Sequence, residues 1–164
     1  MRHIISALVL NHSGVLARVA GLFSRRGYNI ESIAVGHSEE PNQSRMIIVV
    51  NAEDDDVVEQ IEKQLYKLID VIKVNDLPPA EAVERELALI KVNAGSQNRS
   101  EIMQIVDIFR AKIVDVSSRA VIVEITGSPD KVEAMIGLLK PYGIREIVKT
   151  GQVAMLRNFK KGEK

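Results

Sequence analysis

Residues 11–29, NHSGVLARVAGLFSRRGYN, hold the densest run of chemically suggestive residues in the 164-residue chain: Gly14, Gly21 and Gly27, bracketed by polar side chains. Their spacing is not that of a phosphate loop, because neither a Walker sequence nor GxGxxG is present, and GxSxG and HExxH are missing as well. His3, His12 and His37 are the only histidines, and no two have the i, i+4 spacing that puts metal ligands on one helical face. Asp54, Asp55 and Asp56 form a carboxylate cluster of the kind hard cations favour. The positive end of a helix selects acids too, and no second cluster accompanies these, so they read as a helix start. With zero cysteines there is no thiol nucleophile, disulfide or thiolate metal site. Nothing here forms a catalytic constellation.

What residues 11–14 can do is bind. An apolar strand feeds a helix through a stretch containing Asn11, Ser13 and Gly14. The start of a helix offers unpaired N–H groups and positive potential, which suit a carboxylate or phosphate. Glycine at 14 admits a ligand close to the backbone. Asn29 can supply an amide to the same ligand, especially across a dimer interface. A plainer reading fits the same residues: Ser13 or Asn11 caps the helix, Gly14 turns, Gly27 ends the helix and Asn29 sits in a turn.

The elements that position these residues are written twice. HIISALVL is a strand. Val15, Leu16, Val19, Leu22 and Phe23 recur at helical spacing, with Arg25, Arg26 and Gly27 as the stop. NIESIAVGHS and SRMIIVVNA are strands around the turn EEPNQ, a second helix opens at Asp54–Asp56, and DVIKVNDL is a fourth strand. Leu77-Pro78-Pro79-Ala80 interrupts. ERELALIKVNA, a helix from near Ser100, AKIVDVS, RAVIVEITG, SPDKVEAMIGLLK and IREIVKT then repeat the order strand, helix, strand, strand, helix, strand. The class is α+β, with two tandem ferredoxin-like βαββαβ domains. The boundaries read as residues 1–77, a linker at 78–83, and 84–164 with a short basic tail, RNFKKGEK. Each sheet leaves a face and an edge uncovered, and Ile5, Ala7 and Val9 are expected to be buried there by packing between units or between chains.

Composition narrows the function classes. Hydrophobic residues make up 46% and charged residues 27%, as in a soluble globular protein, and 22 cations balance 22 anions, so no net field recruits nucleic acid or an anionic membrane. An RNA-binding sheet needs stacking aromatics, whereas RMIIVV and RAVIVEI offer branched aliphatics. No apolar run is long enough to span a bilayer, and a cytoplasmic protein is expected.

LNHSGVLARVAGLFSRRGYNIESIAVG resembles the opening of ACT domains, the small-molecule regulatory modules of amino-acid metabolism. The closer resemblance is to the small, regulatory subunit of acetolactate synthase. SRMIIVV, EQIEKQLYKLIDVIKV, ERELALIKV and FRAKIVDVS extend it over nearly the whole chain. The resemblance implies a non-catalytic subunit that pairs through its first domain with a second copy. It also implies docking on a thiamine-diphosphate-dependent catalytic subunit, activation of that subunit and feedback inhibition by valine or a related branched-chain amino acid. Thiamine diphosphate, magnesium and any FAD then belong to the partner. The effector carboxylate is expected on the backbone N–H groups of Gly14, Val15 and Leu16, beside Ser13. Asn11 and, from the second chain, Asn29 with the Ile30 backbone would hold the ammonium and the remaining polar edge, while Leu16 receives the side chain. The corresponding loop of the second domain, NAGSQNRSEI, lacks these residues and is not expected to bind valine. The alternative is a stand-alone amino-acid-sensing module serving a different partner.

Overall fold

Branched aliphatics on both faces make β1 (Arg2–Leu10) a strand buried along most of its length. It is followed by α1 (Val15–Arg25), β2 (Ile30–His37), β3 (Gln43–Asn51), α2 (Asp55–Tyr66) and β4 (Val71–Asp76). The strands lie in the order β2-β3-β1-β4 with all neighbours antiparallel, the ferredoxin-like arrangement. The computed structural model describes residues 1–158; most of the basic tail, from Phe159 on, lies outside the described residues. A second unit repeats the pattern with β5 (Ala82–Asn93), α3 (Arg99–Ile108), β6 (Lys112–Val116), β7 (Ala120–Gly127), α4 (Pro129–Leu139) and β8 (Ile144–Lys149), in the order β6-β7-β5-β8.

Each unit has its own core between sheet and helices. In the first, Ile5, Ala7 and Val9 meet Val19, Leu22 and Phe23 of α1 and Ile61 and Leu65 of α2. These three β1 residues therefore face the helices and not the open side of the sheet. The strand alternation was read in the wrong phase, because β1 is apolar on both faces and its pattern alone does not say which face the helices take. In the second unit Ala88, Ile90 and Val92 pack with Ile102, Val106, Val132 and Met135. Fully burying a side chain of this size contributes roughly 1.5–3 kcal/mol.

The open side of the first sheet is closed by its own chain. Ile4, Ile47 and Val49 pack with Leu77 and Ala82, which flank the short 3-10 turn Pro79–Glu81, and with Ala154. Ala154 belongs to β9 (Val153–Leu156), a strand that the sequence reading did not separate from the tail. β9 pairs with β5, and just beyond it Arg157 N–H donates to the Glu81 carbonyl at 2.8 Å. Gln152 N–H donates to Ser32 Oγ at 2.9 Å, and Arg2 donates to the Gln152 side chain. The first unit is thus Met1–Val83 together with residues 152–158, and the second is Glu84–Gly151. The second domain read from the sequence as 84–164 therefore ends earlier in the structure, and residues 78–83 are tied to the first unit. The open face of the second sheet keeps a shallow depression of about 200 Å³ lined by Leu89, Lys91, Ile122, Glu146 and Val148.

The two units end their first helices in the same way with different residues. Gly27, at φ 71°, sends its N–H to the Ser24 carbonyl, while Tyr28 N–H reaches the Phe23 carbonyl. The Tyr28 ring stands edge-on to Phe23 with centroids 6.2 Å apart, the apolar contact that accompanies this stop. In the second unit Arg110, at φ 52°, takes the glycine's place, with N–H bonds from Arg110 to Asp107 and from Ala111 to Val106. A side chain in the left-handed region costs about 1–2 kcal/mol. Arg110→Gly should therefore stabilise the protein by up to about 1 kcal/mol once the added freedom of the unfolded glycine is counted, and Gly27→Ala should destabilise it by about 1 kcal/mol. Denaturant titration of the two variants checks both signs.

Candidate functional site

The β1–α1 loop enters its helix without a side-chain cap. Gly14 occupies the N-cap position at φ 86°, ψ −11°, a left-handed conformation that supplies no capping oxygen. Ser13 and Asn11, read as alternative caps, do not act as such; Asn11 Nδ2 lies instead 3.3 Å from His37 Nδ1 at the end of β2. The chain passes position 14 too abruptly for residue 13 to reach over the first turn. No acidic residue stands in the first turn of α1, in contrast to Asp55 and Asp56 of α2, Glu101 of α3 and Asp130 of α4. Asp54 caps α2 through Val57 N–H, as a helix-start aspartate should. The start of α1 thus has neither a side-chain cap nor an acidic residue in its first turn, an arrangement that favours an external anion.

Beneath the loop lies a charged support that sequence reasoning missed. Asp70, only 4% exposed, precedes β4. Its Oδ2 accepts from Arg18 Nε at 2.7 Å, with Nη2 of the same guanidinium at 2.5 Å, and its Oδ1 lies 2.8 Å from His12 Nε2. The Asp70 carbonyl accepts from Leu10 N–H, and Asn11 N–H donates to the Asn42 carbonyl, so β1 is anchored as it enters the loop. A Cβ on Gly14 would stand 3.1 Å from Arg18 Nη1. One signal was available: Arg18 is a cation near the positive end of its helix, a placement that needs an acid from elsewhere. Asp70, a lone carboxylate in the apolar run KLIDVI, is that acid.

The residues singled out from the sequence fall in two groups. Asn11, Ser13, Gly14, Val15 and Leu16 are together at one end of the sheet. Val15 is buried in the core, whereas Leu16 is 49% exposed beside the open N–H groups. Asn29 and Ile30 are at the other end: Ile30 pairs with Val50, which also faces His3, whereas Leu10 pairs with Gln43. Helix α1, eleven residues and about 16 Å long, carries the chain from one group to the other, so one chain does not bring them together.

The corresponding loop of the second unit is filled by its own side chains. Asn98 Oδ1 accepts from Gly95 N–H at 2.9 Å, and Arg99 Nη2 donates to the carbonyls of Ala94 and Ser117 at 3.0 and 2.5 Å. Asn93 N–H bonds the Gly143 carbonyl as Leu10 N–H bonds that of Asp70, so glycine stands where the first unit has its buried carboxylate.

Fold and loop together define an ACT-type protein, and the matching family models agree: an acetohydroxyacid synthase (AHAS) small subunit-like ACT domain over residues 5–73 and the small subunit of acetolactate synthase over 85–158. The chain is 56% identical over 161 residues to the probable acetolactate synthase small subunit of Archaeoglobus fulgidus, covering 98% of this chain and 100% of that one. It is 52% identical over 157 residues to the acetolactate synthase small subunit of Bacillus subtilis, covering 96% and 91%. The crystal structure of the small subunit from Thermotoga maritima superposes with a TM-score of 0.91 at 52% identity, covering 97% of this chain and 99% of that one. The chain belongs to the acetolactate synthase small subunit family.

The other gathering of titratable groups lies around the start of β1. His3 is buried with Nε2 3.8 Å from Asp55 Oδ1. Burial pushes the Asp76 carboxyl up from its ordinary range, with His3 pulling the other way. Burial and the neighbouring Asp76 charge push Glu62 up. Among the described residues no group of three or more such side chains is placed to hold a metal ion, and no helix is long and apolar enough to cross a membrane. A carboxyl whose pKa is raised by folding favours the folded state at low pH, and that contribution is lost as pH rises through the raised value. Glu62→Gln should therefore stabilise the protein near neutral pH, and its advantage should shrink as pH falls into the ordinary carboxylate range. Urea unfolding of both proteins across that interval measures the convergence.

Proposed function

We infer that this chain is the non-catalytic regulatory subunit of an acetolactate synthase, that it activates the thiamine-diphosphate-dependent catalytic subunit, and that it confers feedback inhibition by valine or a related branched-chain amino acid. The observation that carries the reading is the end-to-end likeness to acetolactate synthase small subunits, 56% identity with 98% of this chain covered. Thiamine diphosphate, magnesium and any FAD reside in the catalytic partner, and the pair works in the cytoplasm. Reaction chemistry is the partner's; this chain senses.

Geometry supports the loop as the sensor. The effector carboxylate is received by the uncapped N–H groups of Gly14, Val15 and Leu16, beside Ser13 and Asn11, and exposed Leu16 meets its branched side chain. Asn29 and the Ile30 backbone come from a second copy. The first sheet has two edges, and the Tyr66 hydroxyl occupies both backbone groups of Val74 on β4, at 3.0 and 3.1 Å. β2 is the other edge. Antiparallel pairing of β2 with its copy sets the start of one β2, with Asn29 and Ile30, beside the end of the other, with His37 and Asn11. Two half-sites then form from groups that one chain keeps apart.

Such a site regulates because it is shared. The effector shifts activity by its preference for one packing of the two chains over another, and a coupling of about 1–3 kcal/mol changes the response roughly 5–150-fold. A hydrophobic pocket separates ligands differing by one methylene by only about 1–3 kcal/mol, so leucine and isoleucine compete to some extent.

Co-expression with the acetolactate synthase catalytic subunit tests the reading. The chain should co-purify with it, raise its activity and make that activity fall with valine. Valine binding without capture of the catalytic subunit would favour a sensing module with a different partner. Gly14→Asp places bulk and negative charge where the effector carboxylate sits, and should abolish valine inhibition while activation persists. Full inhibition at unchanged valine affinity in that variant would disprove the placement.

A further inference from the structure

We propose that Asp70 is the positioning residue of the effector loop: its buried carboxylate braces Arg18 and His12, and this brace keeps the first turn of α1 open and ordered for the ligand. The inference rests on the effector-site reading and goes beyond it by assigning a residue outside the loop.

The observations converge on one carboxylate. Asp70 is 4% exposed, and burying a carboxylate is costly unless it is paired and hydrogen-bonded. Both oxygens are engaged from the loop side, Oδ2 by Arg18 on α1 and Oδ1 by His12 just before Gly14. The two partners lie on either side of Gly14 in sequence, and the Arg18 guanidinium lies where a Cβ on residue 14 would come to 3.1 Å. The loop is therefore held at both ends from one point, with no cap bond of its own to define it. The second unit serves as an internal comparison. Glycine stands at the place of Asp70, and the loop is ordered by Asn98 and Arg99, whose side chains bond the backbone of Gly95, Ala94 and Ser117. A loop ordered by its own side chains closes its backbone groups, whereas a loop braced from below leaves them for a ligand. The buried carboxylate is what separates a sensing loop from a structural one on the same fold.

Asp70→Asn keeps the shape and removes the charge, and the full chain carrying it should remain folded. Hydrogen exchange followed by mass spectrometry, without ligand, should show residues 11–16 exchanging at least about tenfold faster than in the wild type, with β3 and α2 unchanged. Calorimetric titration with valine should show affinity weakened about tenfold or more, and the relative preference for valine, leucine and isoleucine should hold, because the apolar contacts are untouched. Glu59→Ala, which removes the exposed pair with Lys63 on α2, is the control and should change neither quantity. Arg18→Lys, retaining the cation but not the two-nitrogen grip, should fall between the wild type and Asp70→Asn in both. Unchanged exchange of residues 11–16 in Asp70→Asn overturns the proposal, as does a loosened loop that binds valine with wild-type affinity. If the wild type itself binds no branched-chain amino acid, the effector reading fails, and the exchange comparison alone decides whether Asp70 orders the loop.

Discussion

A four-stranded sheet with two helices on one face leaves its other face and both edges to be dealt with, and that constraint organises this protein. In the first unit the helix side is filled by Ile5, Val19, Phe23 and Leu65. The opposite side carries Ile4, Ile47 and Val49, which are as apolar as the core residues and are covered by Leu77, Ala82 and Ala154. One edge is occupied at Val74 by the Tyr66 hydroxyl. β2 is left, and the polar groups assigned to the ligand lie near its two ends. Under the proposed reading, an edge that joins a second copy is an economical place for a ligand that controls how the two join.

Much of the fold was legible because its signals are local. Gly27 after Arg25 and Arg26, Asp54 before a helical run and Pro129 in a first turn each act within a few residues. The structure bears out all three as helix boundaries. The repeat of element order was legible for the same reason. What was not legible depends on distant chain. The phase of β1 is set by which face the helices take, and both faces are apolar. Arg110 holds a left-handed stop that sequence patterns reserve for glycine, because the helix packing fixes the turn whatever residue occupies it. β9 has four residues and owes its place to Ile4, Leu77 and Ala82.

The candidate site divides along the same line. Asn11, Gly14 and Asn29 stand out by type and spacing, and the structure sets the first two in one loop between β1 and α1. Ser13 failed as a cap because the chain turns at Gly14 before the helix begins. Arg18 carries no motif of its own in the sequence, and Asp70 reads as part of a strand. Their partnership spans 52 residues and is invisible without the fold. Ile30 and Asn29 are legible as residues but not as neighbours of Asn11, since antiparallel topology sends them to the opposite end of the sheet.

The fold-back of the chain end over its beginning has a consequence for synthesis. The second unit is one continuous stretch, Glu84–Gly151, whereas the first begins at Met1 and is finished only by residues after Gln152. On a ribosome, where chains emerge from the N-terminus, the order of completion is therefore the reverse of the order of translation. The first sheet can assemble early, but Ile4, Ile47 and Val49 lack the cover of Ala154 until the final strand has left the exit tunnel. During that interval the nascent chain displays an apolar surface, and Ala154, made long after the strands it covers, completes its removal from water.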